Sequence, residues 1–297
     1  MAPARTIEVP STGFESRLAA SDLTWDKPTC GMAPGYLQAN LIVLPSKSAK
    51  DFEILCARNP VPCPLLAKSA SSGDFNNFIS CVPGVSDEKI AAGIDIRTDA
   101  PRYNIYRDGV LVEEKIASVE KYWESDHVAL LIGRSYSFEN ALAAADLTPP
   151  HVLNDRNVTM YRTNIPLCAA GGFIGGKYVV SMRMYKASEV EKVRDITRAY
   201  VTTHGEPIAW GWDGMRDIGI KSLERFDWGD APVLADGQAV VQSEEEGKPD
   251  GYVPVFWGCG VTPQEAVMKA KTPGIVIGHA PGHMVVLDVK EEDVLRK

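Results

Sequence analysis

The strongest constraint on the fold is a set of short, wholly apolar runs, each breaking off into a polar turn and then into helical periodicity. Leu41-Ile-Val-Leu44 stops at Pro45, and Ser48 to Ala57 follows with Phe52, Leu55 and Cys56 on one helical face. Val128-Ala-Leu-Leu-Ile132 gives way to Arg134-Ser-Tyr-Ser137 and then to a helix of Phe138 to Asp146. Such runs are strand-sized and fall far short of the ~20 residues a membrane span needs. A strand with no polar side is buried on both faces, so strands alternating with helices predict an α/β sheet covered on both faces.

The same punctuation continues along the chain. Tyr103, Ile105, Val110 and Val112 alternate around Asp108-Gly109, a pair suited to the positive φ angles of a type I′ hairpin. Lys177 to Tyr185 reads as a strand, and Ser188-Glu-Val-Glu191 as a capping box for a helix with Val190, Val193, Thr197 and Tyr200 on one face. Val253 to Trp257 is a strand, Thr262-Pro-Gln-Glu265 opens a second boxed helix, and Gly274 to Val289 gives two more strands. The prolines of Arg58-Asn-Pro-Val-Pro-Cys-Pro64 forbid helix, residues 69–93 read as an exposed polar insertion, and 230–251 as an acidic connection. A length of 297 residues fits about two domains. The expected division is a larger α/β domain from 1–165 plus 246–297, with a smaller α+β domain at 166–245 inserted after the glycine-rich break.

A formal net charge of -8 argues against nucleic acid as a partner. The six cysteines include no C-x-x-C pair, so no zinc ribbon or thioredoxin-like motif is written here. With no signal-peptide pattern at the start, the expected location is cytoplasmic; Glu8 and Glu15 count against a mitochondrial transit peptide and leave the matrix open.

Several segments have the residue types for chemistry, each beside a plainer reading. His279-Ala-Pro-Gly-His283 puts two of the five histidines at one strand end. Pro281-Gly282 rules out the helical zincin arrangement, leaving acid/base work or two imidazoles that donate to nearby carbonyls and stiffen the turn. No third metal ligand lies at a suggestive spacing. Gly258-Cys-Gly260 before Thr262 would let a ligand approach the backbone, or would simply precede a helix cap. Gly133-Arg-Ser-Tyr-Ser137 lacks the last glycine of a nucleophile elbow, so Ser135 reads first as a cap. Cys63 reads as a buried small hydrophobe, and Trp210-Gly-Trp212 as core. Arg58 with Asn59, Arg97 with Arg102 and Tyr103, and Arg156 with Asn157, Tyr161 and Asn164 form clusters able to bind carboxylates, or surface ion pairs with Asp95 and Asp99.

Six blocks, Ala33-Pro-Gly-Tyr-Leu-Gln-Ala-Asn40, Arg58 to Leu66, Asp95 to Tyr103, Arg156 to Asn164, Cys259 to Gln264 and His279 to His283, together resemble the D-glutamate cyclase-like family of hydro-lyases. Bacterial members have no established substrate, and the mitochondrial D-glutamate cyclase carries a similar region joined to a second one missing here. The resemblance implies a three-layer α/β/α sandwich with a smaller two-layer α+β domain, loss of water from a small acidic metabolite, and no cofactor or metal. It leaves a homo-oligomer open and gives no membrane partner. Two departures stand out: Arg134 where the family usually has Cys, and a longer polar insert at 69–93. Under this reading His283 or His279 is the acid/base and Arg97 or Arg156 the carboxylate clamp. Asn157 with N–H groups near Gly258 to Gly260 forms the oxyanion site, and Arg58, Asn59, Arg102, Tyr103, Tyr161, Asn164, Cys259 and Thr262 complete the binding set. The alternatives are a dehydratase of another hydroxy or amino acid, and a non-catalytic binder of acidic metabolites.

Overall fold

A computed structural model describes residues 8–295. Twelve strands run in chain order among them: β1 (Tyr36–Pro45), β2 (Leu65–Ser69), β3 (Phe78–Ser80), β4 (Tyr103–Arg107), β5 (Val110–Ile116), β6 (His127–Ile132), β7 (Thr159–Pro166), β8 (Lys177–Lys186), β9 (Ala209–Trp210), β10 (Tyr252–Gly258), β11 (Ile275–His279) and β12 (Val285–Lys290). Asp108 and Gly109, joining β4 to β5, have φ of 51° and 79°, the pair of positive angles a type I′ turn requires. The chain divides into two compact units. Unit 1 takes the chain up to Ile54, with Leu65–Gly133 and Val267–Val294; unit 2 takes Leu55–Pro64 and Arg134–Ala266.

Unit 1 holds an eight-stranded sheet of order β3-β2-β6-β1-β11-β4-β5, with β12 also pairing β1. Every residue of β6 is buried, because it lies between β2 and β1 with both faces covered. One face of the sheet presents Leu37, Ala39, Leu41 and Val43 of β1 and Ala129 and Leu131 of β6. Phe78, Val82, Val85, Ile90, Ile94 and Ile96 bury in this same core. Most residues of 69–93 are exposed, as the polar composition predicts, but Phe78, Val82, Val85 and Ile90 anchor the segment in the core, a cover of loop and one-turn helix that period counting cannot see.

Unit 2 holds the four-stranded sheet β7-β8-β10-β9. Its core includes Tyr161, Met182, Trp212, Met215 and Phe256 on one side and Phe138, Tyr185, Val193, Val255 and Trp257 on another. The pairings in both sheets are antiparallel. The architecture is thus mixed α/β with two antiparallel sheets and helices. An apolar run reports that a strand is interior, not which way its neighbours run, so the argument that ligands lie beyond the carboxyl ends of parallel strands has no footing here.

The unit boundaries also differ from the expected ones at 165/166 and 245/246. They fall after Gly133 and inside two helices, Ser46–Arg58 and Val261–Ala270. The cause is β10, which pairs with β8 over seven residues and so belongs with the middle of the chain. Neither capping box forms as spaced. Glu189, not Glu191, turns back to accept the Lys186 N–H at 3.0 Å, and the Ser188 N–H goes to Asp250. No helix of the described residues is long and apolar enough to cross a membrane.

Candidate functional site

In unit 1 the two histidines sit where β1 changes partners. Ile42 and Val43 pair with Gly278 and Ile277 of β11, whereas Gln38 and Ala39 pair with Val286 and Val285 of β12, and the turn from His279 to His283 bridges the step. The turn is pinned from several directions. Ala280 N–H donates to the Arg102 carbonyl at 2.8 Å, Thr29 N–H to the Gly282 carbonyl at 2.8 Å, and Thr29 and Gln38 are hydrogen-bonded to each other. His279 is buried; its Nδ1 lies 2.8 Å from the Ala280 carbonyl and its Nε2 3.0 Å from Asn40 Oδ1. The Asn40 amide is oriented by its other end, where Nδ2 donates to the Gly133 carbonyl at 3.3 Å. Each ring nitrogen of His279 thus faces a protein oxygen. His283 contacts the carbonyls of Pro281 at 2.8 Å and Asp26 at 3.2 Å, as turn support requires. Arg102 pairs with Asp26, whose carboxylate is largely exposed, at 3.2 Å.

The other unit 1 residues of the predicted set have structural work. Arg97 is not an available clamp: its guanidinium makes a two-point pair with Asp95 at 2.7 and 2.9 Å and lies 3.4 Å over the Phe75 ring. The Tyr103 hydroxyl donates to the Ile96 carbonyl and accepts the Ala100 N–H, both at 2.8 Å, inside the core.

Unit 2 corrects more of the set. Arg156 and Asn157 are exposed, with Asp230 accepting the Asn157 N–H at 2.7 Å, so Asn157 is not a buried oxyanion donor. Asn164 is exposed and holds the Asp217 carbonyl, and the Tyr161 hydroxyl donates to Leu223 in the core. Arg58 is exposed on the Ala169 carbonyl. Asn59 is buried and mimics a strand partner, accepting the Cys168 N–H at 2.8 Å and donating to the Cys168 carbonyl at 2.9 Å. Thr262 lies inside its helix rather than capping it, and its hydroxyl takes the Val179 N–H at 2.9 Å and returns a bond to the Val179 carbonyl at 3.0 Å. Burial pushes the Cys259 thiol up to about 11, which keeps it protonated, with Met160 sulfur at 3.4 Å; Gly260 is buried beside it. Gly258 is demanded by packing, since a Cβ there would lie 3.1 Å from the Val61 carbonyl and 3.2 Å from His204 Nδ1. Val61 and His204 in turn line an open cleft of about 640 Å³ that also contains Arg198 and Glu206.

One cluster in unit 2 escaped the sequence reading altogether. The Arg183 side chain, fully buried on β8, donates to Glu139 Oε1 from Nη2 at 2.6 Å and Nε at 3.1 Å, and its guanidinium lies 5.1 Å from the rings of Phe138 and Trp257. His151 Nε2 is 3.2 Å from the same carboxylate oxygen. Burial raises the Glu139 carboxyl, but Arg183 and His151 outweigh it and hold the group below the usual carboxylate range. Burial lowers the His151 imidazole. A signal was present: Arg183 is a charge in the middle of an apolar strand, and a buried charge demands a partner. The partners themselves lie 44 and 32 positions away, beyond any local pattern.

Among the described residues, Glu124, Asp126 and His127 of unit 1 lie close enough to hold a metal ion. The donor set fits poorly, because His127 Nδ1 accepts the Glu124 N–H at 3.1 Å, which leaves the ring proton on Nε2 where a ligand lone pair would be needed.

The profile of the family described as D-glutamate cyclase matches residues 128–288. "Putative hydro-lyase C5H10.01" of Schizosaccharomyces pombe is 43% identical over 93% of this chain and 83% of its own length. A "Putative hydro-lyase" of Rubrobacter xylanophilus is 43% identical over 90% and 91%, and "Putative hydro-lyase YcsI" of Bacillus subtilis 42% identical over 90% and 92%. Among solved structures, a nitrogen repressor-like protein of Methanococcus jannaschii aligns over 96% of this chain and 98% of its own at a TM-score of 0.33 and 12% identity, too remote for a shared fold to follow. With the profile covering more than half of the chain and such relatives spanning most of it, the chain belongs to the D-glutamate cyclase family.

Proposed function

We propose that the protein is a hydro-lyase of D-glutamate cyclase type, converting D-glutamate to 5-oxo-D-proline and water. The substrate α-amine attacks the γ-carboxyl carbon, so the chemistry needs a free amine pair and a proton for the departing oxygen. The observation that carries the reading is His279, buried between the Ala280 carbonyl and Asn40 Oδ1. The turn around it fixes the ring in place, and an imidazole is the side chain suited to exchange a proton near neutral pH. Arg102 offers a guanidinium whose present partner, Asp26, is exposed and exchangeable for a substrate carboxylate.

Incubation of purified protein with D-glutamate, following 5-oxo-D-proline, tests the reading. Turnover is expected in the wild type, with kcat falling ~10²–10⁴-fold in His279→Asn. No turnover by wild-type protein sinks the activity, and full turnover by a folded His279→Asn variant sinks the role of that residue. Water loss from another amino or hydroxy acid, with D-glutamate untouched, would transfer the reading to the dehydratase alternative.

A further inference from the structure

We propose that the cleft of unit 2 lined by Val61 and Arg198 binds a free α-amino acid with an apolar side chain, its carboxylate on Arg198 and its ammonium on Glu206 and Asp195. Every residue of its lining belongs to unit 2, and the proposal stands independently of the D-glutamate reading. At about 640 Å³ the cleft lies within the range of small-molecule sites, roughly 300–1,000 Å³. A whole amino acid fits it with bridging water.

Its walls are held in place. His204 ends the short turn Val201–Thr203 at a φ of 88°, left-handed backbone that a residue with a side chain rarely adopts, and Gly205 follows at 68°. His204 Nδ1 lies 2.8 Å from the Val61 carbonyl, which joins two sides of the cleft. Gly205 N–H donates to the Tyr200 carbonyl and Ile208 N–H to the Phe256 carbonyl, both at 2.8 Å, so the segment carrying Glu206 is tied at both ends.

The charges of the lining have both signs and are loosely matched. Arg198 gives Nη1 to Asp195 at 3.1 Å and Nη2 to Glu206 at 3.4 Å, and Glu206 is shared with Arg194, again at 3.4 Å. Arg198 and Asp195 are more than half exposed, so little is lost when such pairs exchange partners. A ligand carboxylate on Arg198 can make a two-point bond. Alone, it would face Glu206 and Asp195 as a like charge, and an amine alone would lie against Arg198. A zwitterion answers both, because its ammonium takes up the carboxylates that its own carboxylate displaces. Arg194 stays out of the exchange: Glu191 holds it at 2.8 and 3.0 Å, and its guanidinium lies 3.9 Å over the Trp210 ring. Much of the remaining lining is apolar. Val61 and Val201 are 37% and 40% exposed, and Pro207 and Ile208 line the same cleft, so an apolar side chain seated there removes hydrophobic surface from water.

Calorimetry and methyl NMR of the full chain with leucine, phenylalanine and methionine test the site. Saturable binding is expected, with shifts centred on the methyl groups of Val61, Val201 and Ile208. Leucinamide, which lacks the carboxylate, and 4-methylpentanoate, which lacks the amine, should each bind about 10-fold or more weakly than leucine. Arg198→Gln should lose a similar factor for leucine, with thermal unfolding as the control for folding; should it not fold, Glu206→Gln takes its place with the same expected loss. No saturable binding by any of the three amino acids overturns the proposal. So does a one-charge analogue that binds as tightly as leucine, a set of shifts confined to other methyl groups, or full affinity in the folded variant. D-glutamate turnover, present or absent, bears on the other reading alone.

Discussion

Arg17 in unit 1 and Arg183 in unit 2 are both buried guanidiniums facing a carboxylate that is wholly or mostly buried, yet the carboxylates respond in opposite directions. Arg17 spends its hydrogen bonds on Asp288, at 2.7 and 3.2 Å, and on the carbonyls of Val286 and Ala92; it approaches Asp99 only to 3.7 Å. Burial therefore wins at Asp99 over the Asp95 N–H and Arg17, and the carboxyl is pushed up to about 6. Arg183 commits two donors to one oxygen of Glu139, His151 adds a third, and that carboxyl is held down. An arginine sustains the charge of the carboxylate it bonds rather than of one that is merely near. The consequence for chemistry is that unit 2 has an ionised acid able to orient an imidazole, whereas His279 of unit 1 answers to an amide and a carbonyl.

The severest way to break this contrast is to remove the two arginines. Arg183→Met leaves Glu139 buried without its cation and is expected to cost about 3–5 kcal/mol in urea unfolding. Arg17→Met should cost less, because Asp288 is partly exposed and Asp99 already favours its neutral form. Equal losses in the two variants would show that ownership of the guanidinium does not matter.

Stability against pH sharpens the same contrast. Asp99 titrates in the folded state at about 6, above its ordinary 3.8, so the stability it confers is complete below about pH 4 and is lost as pH rises through 6. The shift of about two units corresponds to at most about 3 kcal/mol. Glu139 is lowered and has the opposite sign: its contribution is present above the ordinary carboxylate range and is lost as pH falls. Asp99→Asn should flatten the decline from pH 4 to 7 and leave the acid limb, whereas Glu139→Gln should soften the acid limb alone. A decline above pH 4 that survives in Asp99→Asn would assign it to other groups.

Much of the fold was legible because it depends on neighbours in sequence. The interior strands β1, β6, β8 and β10, the Asp108-Gly109 turn and the buried face of Val190, Val193, Thr197 and Tyr200 all follow from local period and turn chemistry. Strand direction and the boundaries of the units depend on pairings such as β10 with β8, which no window contains. The site divides on the same line. His279 and His283 could be found as two rare residues around one turn. Arginine-rich blocks were read as ligand-binding because Arg97 and Arg156 carry the right group, but Asp95 and the Ala231 carbonyl reach those groups first. The converse error hid His151, whose carboxylate partner lies twelve residues earlier and whose supporting arginine comes from a later strand.

The mildest test concerns a residue whose chemistry was read correctly and whose address was not. Thr262 has the hydroxyl of a helix cap, yet it spends both donor and acceptor on Val179 of β8, filling the place of a missing strand. Thr262→Val keeps the branched shape and leaves the Val179 N–H and carbonyl buried without that partner, so a loss of about 1–3 kcal/mol is expected. Thr262→Ser restores the hydroxyl and should recover most of it. Because this threonine supports an element of unit 2 without belonging to the Glu139–His151–Arg183 cluster, the loss should appear in unfolding and not in turnover. A Thr262→Val variant of wild-type stability with altered turnover would return the residue to the binding set from which its hydrogen bonds remove it.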